Sequence, residues 1–363
     1  MKKIYATIFF LLPLLLTAQE PVGYYDPATG KSGNELRSAL YDVIKGHTDL
    51  TYSGLWNLYK TSDTIRLANS TYIWDMYSMD QNGQAAYYYT PGSDQCGNYK
   101  AEGECYNREH SVPKSWFDDA SPMISDAFHI VPTDGYVNGR RGNNPFGEVG
   151  TVNWTSTNGS KLGTARNGLG YSGTVFEPVD AYKGDFARGY FYMATRYMDR
   201  CGNWTGDMFG SETGQFGFRK WAIEMLLQWH RNDPVNRKEI NRNDEIYNQQ
   251  HNRNPFVDHP ELAEHIWGNK KDEGWGKTTD TDDIRIDFIV YPTPASGVLN
   301  IKTDDSDLNY NVYSLSGQQA LSGQLSDGRI DISRLTNGIY LLELTKNKKK
   351  MMKKFVVVNK QAF

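Results

Sequence analysis

The sequence lacks a positive charge balance and, after its N-terminus, lacks any long hydrophobic run. Its 39 Lys and Arg residues face 43 Asp and Glu residues, and the formal net charge is −4. Proteins that hold nucleic acid tightly without catalysis usually show a basic balance or a basic stripe, so this class is disfavoured. No later segment approaches the roughly 20 apolar residues that a membrane-spanning helix needs. We therefore predict a mature chain without a transmembrane segment.

The first 18 residues combine a basic start, Lys2 and Lys3, with a short apolar run that ends near Ala18. This pattern is typical of a secretory signal peptide, because the apolar part is too short for a membrane span. We predict that residues 1–18 are removed after Ala18. The mature protein is then secreted, either to the medium or to the outer cell surface.

Cysteine is scarce as well, with three residues, Cys96, Cys105 and Cys201. Because an exported chain meets an oxidising environment, two of them are expected to pair. Cys96 with Cys105 would close a loop of about ten residues and stabilise the fold by about 2.7 kcal/mol in the chain-entropy model. Cys105 with Cys201 is the alternative. Either pairing leaves one thiol over.

Apolar residues are plentiful enough for a folded protein of two domains. Of the 363 residues, 39% are hydrophobic and 13% are aromatic, which suffices for a real core. Helical and alternating apolar spacings predict several helices and one early strand. The helices are predicted at 35–44, at 185–200, at 218–229, from Asp233-Pro234 toward Gln250 and from His259-Pro260 to Gly268. The strand is predicted at Ile73–Tyr77. Residues 147–173 are rich in Gly, Asn, Ser and Thr and are predicted to form irregular surface structure.

The apolar period changes toward the C-terminus. Residues 269–283 are rich in Lys, Asp, Thr and Gly, as linkers are. Beyond them, short alternating segments with Gly and Asn turns predict a small β-sandwich, with strands at 284–290, 298–301, 310–313, 329–332, 338–344 and 354–358. The predicted fold class is α+β, with a mainly helical domain at residues 19–270, a linker at 271–284 and a β-sandwich domain at 285–363.

Glu109 and His110 stand side by side in the segment Cys105–Pro113. Cutting a phosphodiester needs a base that deprotonates water and a cation that neutralises charge on the phosphoryl and leaving oxygens. A neutral imidazole is available near pH 7, so His110 is the candidate base. Neighbouring side chains on a regular strand point to opposite faces. Glu109 and His110 can therefore address one phosphate only at a bulge or a strand end, and Pro113 favours a strand that is ending.

Asn138 lies in a second segment, residues 126–147, and we expect it on a helix after the turn at Thr133–Gly135. Its amide oxygen and the Glu109 carboxylate are hard donors that suit Mg²⁺. Two protein ligands would leave positions open for water and for phosphate oxygens. Mn²⁺ and Ca²⁺ accept the same donors, so one divalent cation, with Mg²⁺ first, is predicted.

These segments resemble the endonuclease I family of bacterial nucleases, whose active site is a ββα-metal, or His-Me, finger. The resemblance rests on Asn107–Pro113 and Val137–Gly147, and Lys183–Arg188, Gln250–Pro260 and Ile266-Trp267 extend it in the same order along the chain. It implies a mainly helical nuclease domain built around such a finger. It also implies that His110 is the general base, that Glu109 and Asn138 hold the metal, and that Arg141 contacts phosphate in catalysis, with Arg140, Asn143 and Arg188 as weaker candidates.

Several cations lie near the motifs and can supply a local field for phosphate. They are Arg108, Lys114, Arg140, Arg141 and Arg188. Some members of the family place an arginine between the catalytic histidine and the position of Asp126 to hold the cleaved phosphate. Here that interval contains Lys114, a point charge and not a bidentate fork, so the role stays open. His129, flanked by Phe128 and Ile130, either lines the site or is a buried core histidine.

The C-terminal domain resembles the sorting domain of proteins exported by the type IX secretion system. This resemblance rests on three segments, Tyr291–Ser296, Leu315–Gly317 and Leu335–Tyr340. It implies that secretion machinery is a partner of the chain. The alternative is an Ig-like module that binds carbohydrate or a protein.

The sequence therefore predicts a secreted, monomeric, metal-dependent endonuclease that cuts DNA, and RNA as well. The resemblance to the family implies that the products carry 5′-phosphates. Little sequence preference is expected, because no recognition helix or zinc module for reading base edges is apparent. Two other classes remain open. One is a surface adhesin on an inactive nuclease fold, and the other is a phosphodiesterase that acts on small esters.

Overall fold

The computed structural model describes residues 20–210, 216–276, 288–303, 305–314, 318–346 and 349–359, without the side chains of residues 349 and 350. The chain divides into two compact units, up to residue 277 and from residue 278. This division falls inside the predicted linker. Three predicted features lie outside the described residues: the signal peptide, residues 277–284 of the linker and the segment Leu315–Gly317.

The helices of the first unit pack around one central helix. Among the described residues they are α1 (Gly33–Ile44), α2 (Leu55–Ser62), α3 (Gly135–Arg141), α4 (Lys183–Arg196), α5 (Lys220–Asn232), α6 (Arg237–Gln250), α7 (Pro255–Asp258) and α8 (Leu262–Ile266). Helix α4 is buried on all sides apart from its first turn and contacts α1, α5 and α7. A helix that is buried all round belongs to the centre of a core.

The predicted helices at 35–44, 185–200 and 218–229 are confirmed as α1, α4 and α5, with small shifts of their ends. The predicted start of α6 at Asp233-Pro234 is wrong. Asn236 caps this helix instead, in a capping box with Glu239, because each side chain pairs with the backbone N–H of the other. Asp233 accepts a hydrogen bond from the backbone of Gly184 at the start of α4.

Seven short strands in the described part of the first unit form three antiparallel groups. They are β1 (Thr64–Leu67) with β2 (Ser70–Ile73), β3 (Tyr106–His110) with β4 (Ile130–Asp134), and β5 (Val149–Thr155) with β6 (Lys161–Ala165) and β7 (Thr174–Glu177). The strand predicted at Ile73–Tyr77 is wrong beyond Ile73. The irregular excursion predicted at 147–173 is wrong too. Its Gly and Thr residues pair in β5 and β6, because a solvent-facing sheet tolerates small polar residues on its exposed face.

The second unit is a sheet of seven described strands. These are β8 (Phe288–Ser296), β9 (Val298–Thr303), β10 (Leu308–Ser314), β11 (Gln319–Leu325), β12 (Arg329–Asp331), β13 (Gly338–Lys346) and β14 (Lys349–Val357). Their order is β11-β10-β13-β14-β8-β9-β12, joined in the middle by one parallel pairing, Val357 with Ala295. Both halves contribute to one core that contains Leu299, Val312 and Phe355. Within the described residues the predicted strands agree with this sheet. Residues 284–287 of the first predicted strand lie outside the described residues, and the sequence did not indicate β11.

None of the described helices combines the length and the apolar character that crossing a bilayer requires.

Candidate active site

The predicted base and metal ligands lie on strand β3 and helix α3. Strand β4 pairs with β3 and leads directly into α3. The β3–β4 ladder is regular from Tyr106 opposite Asp134 to His110 opposite Ile130. Asp134 ends β4 and caps α3, since its side chain accepts from the backbone N–H of Val137. His110 is the last residue of β3. Of the two geometries expected from the sequence, the strand end is therefore the one observed.

Glu109 is buried, and one of its two oxygens is fully used. Its exposed fraction is 2%. Oε1 accepts hydrogen bonds from the Tyr77 hydroxyl at 2.9 Å and from Arg141 Nη1 at 2.6 Å. Burial raises the pKa of the Glu109 carboxyl, and Arg141 and Tyr77 oppose this shift. Because a guanidinium stays charged, we treat the buried pair as ionised.

The second oxygen of Glu109 and the amide oxygen of Asn138 are both available. Among the described residues, neither Glu109 Oε2 nor Asn138 Oδ1 accepts a hydrogen bond, whereas Asn138 Nδ2 donates to the carbonyl of Arg108 at 3.3 Å. Asn138 and Arg141 are three residues apart on α3 and so lie on one face, the face that Arg141 ties to Glu109. Two free oxygen donors on neighbouring elements fit a hard divalent cation.

A larger metal cluster is not found in the described parts of the chain, where no three His, Cys, Asp or Glu side chains come together to hold an ion. The predicted site has one carboxylate and one amide, so it does not require such a cluster. Its low ligand number suits an ion that also binds an anionic substrate.

His110 lies on the other face of β3 and is neutral. Its Nε2 is 3.2 Å from the carbonyl oxygen of Ile124, which indicates that Nε2 carries the proton and donates. Burial first, then the neighbouring His129 and the cations Lys114 and Arg108, hold the pKa of His110 well below its usual range. Nδ1 has no hydrogen-bond partner in the described structure. A neutral imidazole with a free Nδ1 is suited to take a proton from water.

His129 backs the His110 ring from the core side. The two ring centroids are 5.5 Å apart. His129 Nε2 lies 2.7 Å from the Met123 carbonyl oxygen, and Nδ1 is buried without a partner. Burial lowers its pKa to about 4. Of the two readings of the sequence, the structure favours the buried core histidine, although its ring touches the predicted base.

Arg141 is buried, and its guanidinium donates hydrogen bonds to oxygen atoms of the protein. Nη1 donates to Glu109 Oε1 and to the His110 carbonyl, Nη2 donates to the Ser111 carbonyl, and Nε donates to the Asn144 carbonyl. Its exposed fraction is 1%. The predicted phosphate contact stays untested, but in this arrangement Arg141 fixes the end of β3.

Arg188, one of the weaker candidates for a phosphate contact, is occupied by protein partners. Arg188 is fully buried and forms two hydrogen bonds with the Glu239 carboxylate, at 2.5 and 2.7 Å. It also donates to the Asp233 carbonyl and approaches Nδ1 of His230. Because α4 is buried all round, every polar residue on it needs an internal partner.

The remaining residues predicted to bind phosphate lie at or near the surface. Lys114 is exposed and forms an ion pair with Asp119 at 3.0 Å. Arg140 is exposed, with its guanidinium 5.3 Å from the centroid of the Trp154 ring. Asn143 is exposed just after the end of α3. Arg108 is half-buried between the rings of Tyr52 and Trp56.

Sequence reasoning missed three aromatic residues that contact the site. Tyr77 binds Glu109, and Tyr52 and Trp56 hold Arg108. The chain contains 24 tyrosines, so the presence of a tyrosine does not by itself identify a site residue. The four-residue spacing of Tyr52 and Trp56 is a weak signal of a shared face.

The disulfide joins Cys96 to Cys105, which decides between the two pairings that the sequence left open. Cys201 is free and buried, and Arg37 Nη2 lies 3.3 Å from its sulfur. The loop that the disulfide closes packs Tyr99 onto α3. A Cβ added at Gly135 or Gly139 would come within 2.5 or 2.8 Å of Tyr99. The disulfide loop thus rests directly on the helix that carries Asn138.

Comparison with known proteins gives two matching family models. One, described as endonuclease I, matches residues 32–261, and the other, a secretion system C-terminal sorting domain, matches residues 289–358. Both resemblances seen in the sequence are thereby confirmed.

Three curated proteins are similar to the chain. It is 36% identical over 258 residues to the extracellular ribonuclease of Bacillus amyloliquefaciens, and this match covers 67% of this chain and 78% of that protein. It is also 36% identical over 262 residues to the extracellular ribonuclease of Bacillus subtilis (strain 168), with the same two coverages of 67% and 78%. A further match, 41% over 70 residues, is to beta-agarase D of Zobellia galactanivorans, and covers 19% of this chain and 14% of that protein.

Proposed function

The chain belongs to the endonuclease I family and is a secreted nuclease, and we propose that it is a metal-dependent endonuclease that hydrolyses both DNA and RNA. The observation that carries the proposal is the pairing of a neutral His110, with a free Nδ1, and two free oxygen donors on Glu109 and Asn138. The names of the two ribonucleases support RNA as a substrate. The arrangement of β3, β4 and α3 supports a ββα-metal finger as the catalytic unit.

His110 is the proposed general base. Its Nε2–H is held by the Ile124 carbonyl, so the ring keeps one orientation and one tautomer. Nδ1 then accepts a proton from the water that attacks phosphorus, and the charge on the resulting imidazolium stays beside the phosphate. General-base assistance of this kind is worth roughly 10²–10⁴ in rate.

Glu109 Oε2 and Asn138 Oδ1 are the proposed ligands of one divalent cation, with Mg²⁺ the first choice and Mn²⁺ or Ca²⁺ the alternatives. A bound ion would neutralise charge on the phosphoryl oxygens and on the departing 3′ oxygen. Departure of the 3′ oxygen, which leaves a 5′-phosphate on the product, is the polarity that the family resemblance implies. Tyr77 and Arg141 hold Glu109 by its other oxygen. Their effect is to hold the carboxylate in one orientation while Oε2 stays free of hydrogen bonds from described residues.

Exposed groups around the site are proposed to guide the substrate with little sequence preference. Lys114, Arg140 and Asn143 are all exposed, and they meet phosphates, which every nucleotide carries. Contacts of this type make binding sensitive to salt. The second unit, which matches the sorting domain, is the part proposed to engage the secretion machinery.

The test is cleavage of plasmid DNA and of a structured RNA by the full chain with Mg²⁺, with and without chelator. His110→Ala should lose activity at least 100-fold while it keeps metal affinity. Glu109→Gln and Asn138→Ala should weaken metal binding, measured by titration with Mn²⁺. His251→Asn is the matched control, because His251 is exposed and sits in a left-handed conformation that Asn tolerates.

Three results would count against the proposal. Normal cleavage by His110→Ala would refute the assigned base, and undiminished cleavage after chelation would refute the metal. Turnover of bis-nitrophenyl phosphate with intact DNA and RNA would show a small-ester phosphodiesterase instead.

A further inference from the structure

Arg108 is held rigidly between two aromatic rings. Its guanidinium carbon lies 3.5 Å from the centroid of the Tyr52 ring and 4.3 Å from that of the Trp56 ring. Nη1 donates to the Tyr52 carbonyl oxygen at 2.7 Å. Stacking and one hydrogen bond together fix the plane of the guanidinium, so little rotational freedom remains to be lost when it binds a ligand.

One edge of this guanidinium has no partner in the described structure. Nε is buried and makes no hydrogen bond, and Nη2 makes none either. These two nitrogens form one fork of the guanidinium, the fork that accommodates two oxygens of a phosphate or a carboxylate. The opposite edge is the one that Tyr52 uses.

Among the described residues, Arg108 has no carboxylate partner, in contrast to the three buried arginines that follow. Arg141 pairs with Glu109, Arg188 with Glu239 and Arg242 with Asp63. The guanidinium of Arg108 forms no ion pair with any described residue, and its contacts are two aromatic rings and one carbonyl oxygen. A half-buried cation without an anion is costly, and an anionic ligand would relieve that cost.

The free fork lies beside the proposed base. Arg108 and His110 are two residues apart on β3, so their side chains share a face of the strand. The Tyr52 ring connects them, since its centroid is 5.6 Å from that of His110. Lys114, the other cation near His110, is exposed and already paired with Asp119.

We infer that Arg108, clamped by Tyr52 and Trp56, binds a phosphate of the nucleic acid next to the bond that is cut. This inference rests on the proposed function and fills the phosphate-holding role for which the interval after His110 offers no arginine. The two rings serve as walls of the clamp, and they are not platforms for bases, because each already has the guanidinium stacked on one face.

The experiment measures binding in the full-length His110→Ala background, so that the substrate stays intact. A fluorescent 12-nucleotide DNA is titrated at several salt concentrations with Ca²⁺ present. Arg108→Gln should weaken binding about tenfold or more and should reduce the slope of log Kd against log salt by about one. Arg108→Lys should keep the slope but lose most of the affinity, because lysine keeps the charge and lacks the fork.

Two further variants test the clamp. Trp56→Phe keeps a ring and should bind almost as the parent does, whereas Trp56→Leu should lose several-fold in affinity. Arg166→Gln, which removes an exposed arginine on the β5–β6 side, is the charge control and should leave both Kd and slope unchanged. Thermal unfolding of each variant separates loss of fold from loss of binding.

The inference fails if folded Arg108→Gln binds with the parental affinity and salt slope. It also fails if Trp56→Leu loses affinity while Arg108→Gln does not, a pattern that would indicate base stacking. Wild-type activity distinguishes the two proposals. A chain that cuts DNA normally after Arg108→Gln keeps the proposed function and loses the phosphate clamp, whereas a wild type that cuts neither DNA nor RNA loses the proposed function itself.

Discussion

Arg141 Nη1 lies 2.6 Å from Glu109 Oε1 and, at the same time, 2.7 Å from the carbonyl oxygen of His110. One nitrogen on helix α3 thus holds the side chain of the proposed metal ligand and the backbone of the proposed base. Adjacent strand residues point to opposite faces, so a shared anchor is needed to keep the two groups in a constant relation. Arg141 is in this sense a positioning residue.

Replacing Arg141 by Met should lower the free energy of unfolding by about 3–5 kcal/mol, because the Glu109 carboxylate is left buried without its partner. Urea denaturation measures this loss. Arg140→Met, one position earlier and exposed, should change stability by less than about 0.5 kcal/mol. Equal stabilities of the two variants would contradict the anchoring role.

Tyr77→Phe should act on metal affinity more than on stability. The variant loses one hydrogen bond to Glu109 Oε1, worth about 1 kcal/mol in stability. The dissociation constant for Mn²⁺ should rise about tenfold, since groups that orient a metal ligand typically have this effect. Tyr182→Phe is the matched control. Its hydroxyl donates to the Asp80 carbonyl and accepts from Trp74, away from Glu109, so it should lose stability and keep metal affinity.

His230 should make stability depend on pH in acid. Burial first, then Arg188, lowers its pKa from 6.5 to about 4. The stability that neutral His230 provides is fully present above pH 6.5 and is lost as the pH falls toward 4, a change on the order of 3 kcal/mol. His230→Gln cannot take up this proton. The difference in unfolding free energy between wild type and His230→Gln should therefore shrink from pH 7 to pH 4, and a constant difference would contradict the prediction.

Removal of the disulfide should loosen the loop that rests on α3. The double substitution Cys96→Ser, Cys105→Ser should lower the free energy of unfolding by about 2.7 kcal/mol in the chain-entropy model. Amide hydrogen exchange on α3 should become faster, because Tyr99 covers Gly135 and Gly139. Cys201→Ala, which opens no loop, should leave exchange on α3 as it is. Unchanged exchange in the double variant would show that Tyr99 packs independently of the disulfide.

Much of the proposed site was predictable because it depends on local sequence. Glu109, His110 and Asn138 lie in two short segments, and the strand end at His110 and the helix start at Asp134 follow from nearby Pro113 and from the N-cap aspartate. Helices α1, α4 and α5 were predictable from their apolar spacing for the same reason. The sheet β5–β6–β7 was not, because its polar strands are specified by pairing with each other and not by an alternating apolar pattern.

The order of the amino acids is enough to show which chemical groups the proposed site can contain, namely a carboxylate, an imidazole and an amide, and that residues 289–358 match a sorting domain. Which of three arginines near the motifs has a carboxylate partner became clear from the fold. Arg188 is neutralised by Glu239, 51 residues further along the chain, and Arg141 by Glu109, 32 residues earlier, whereas Arg108 lies between Tyr52 and Trp56 without a carboxylate. Whether a cation is structural or available to a ligand depends on partners that are distant in sequence. Folding supplies those partners, and no local motif encodes them.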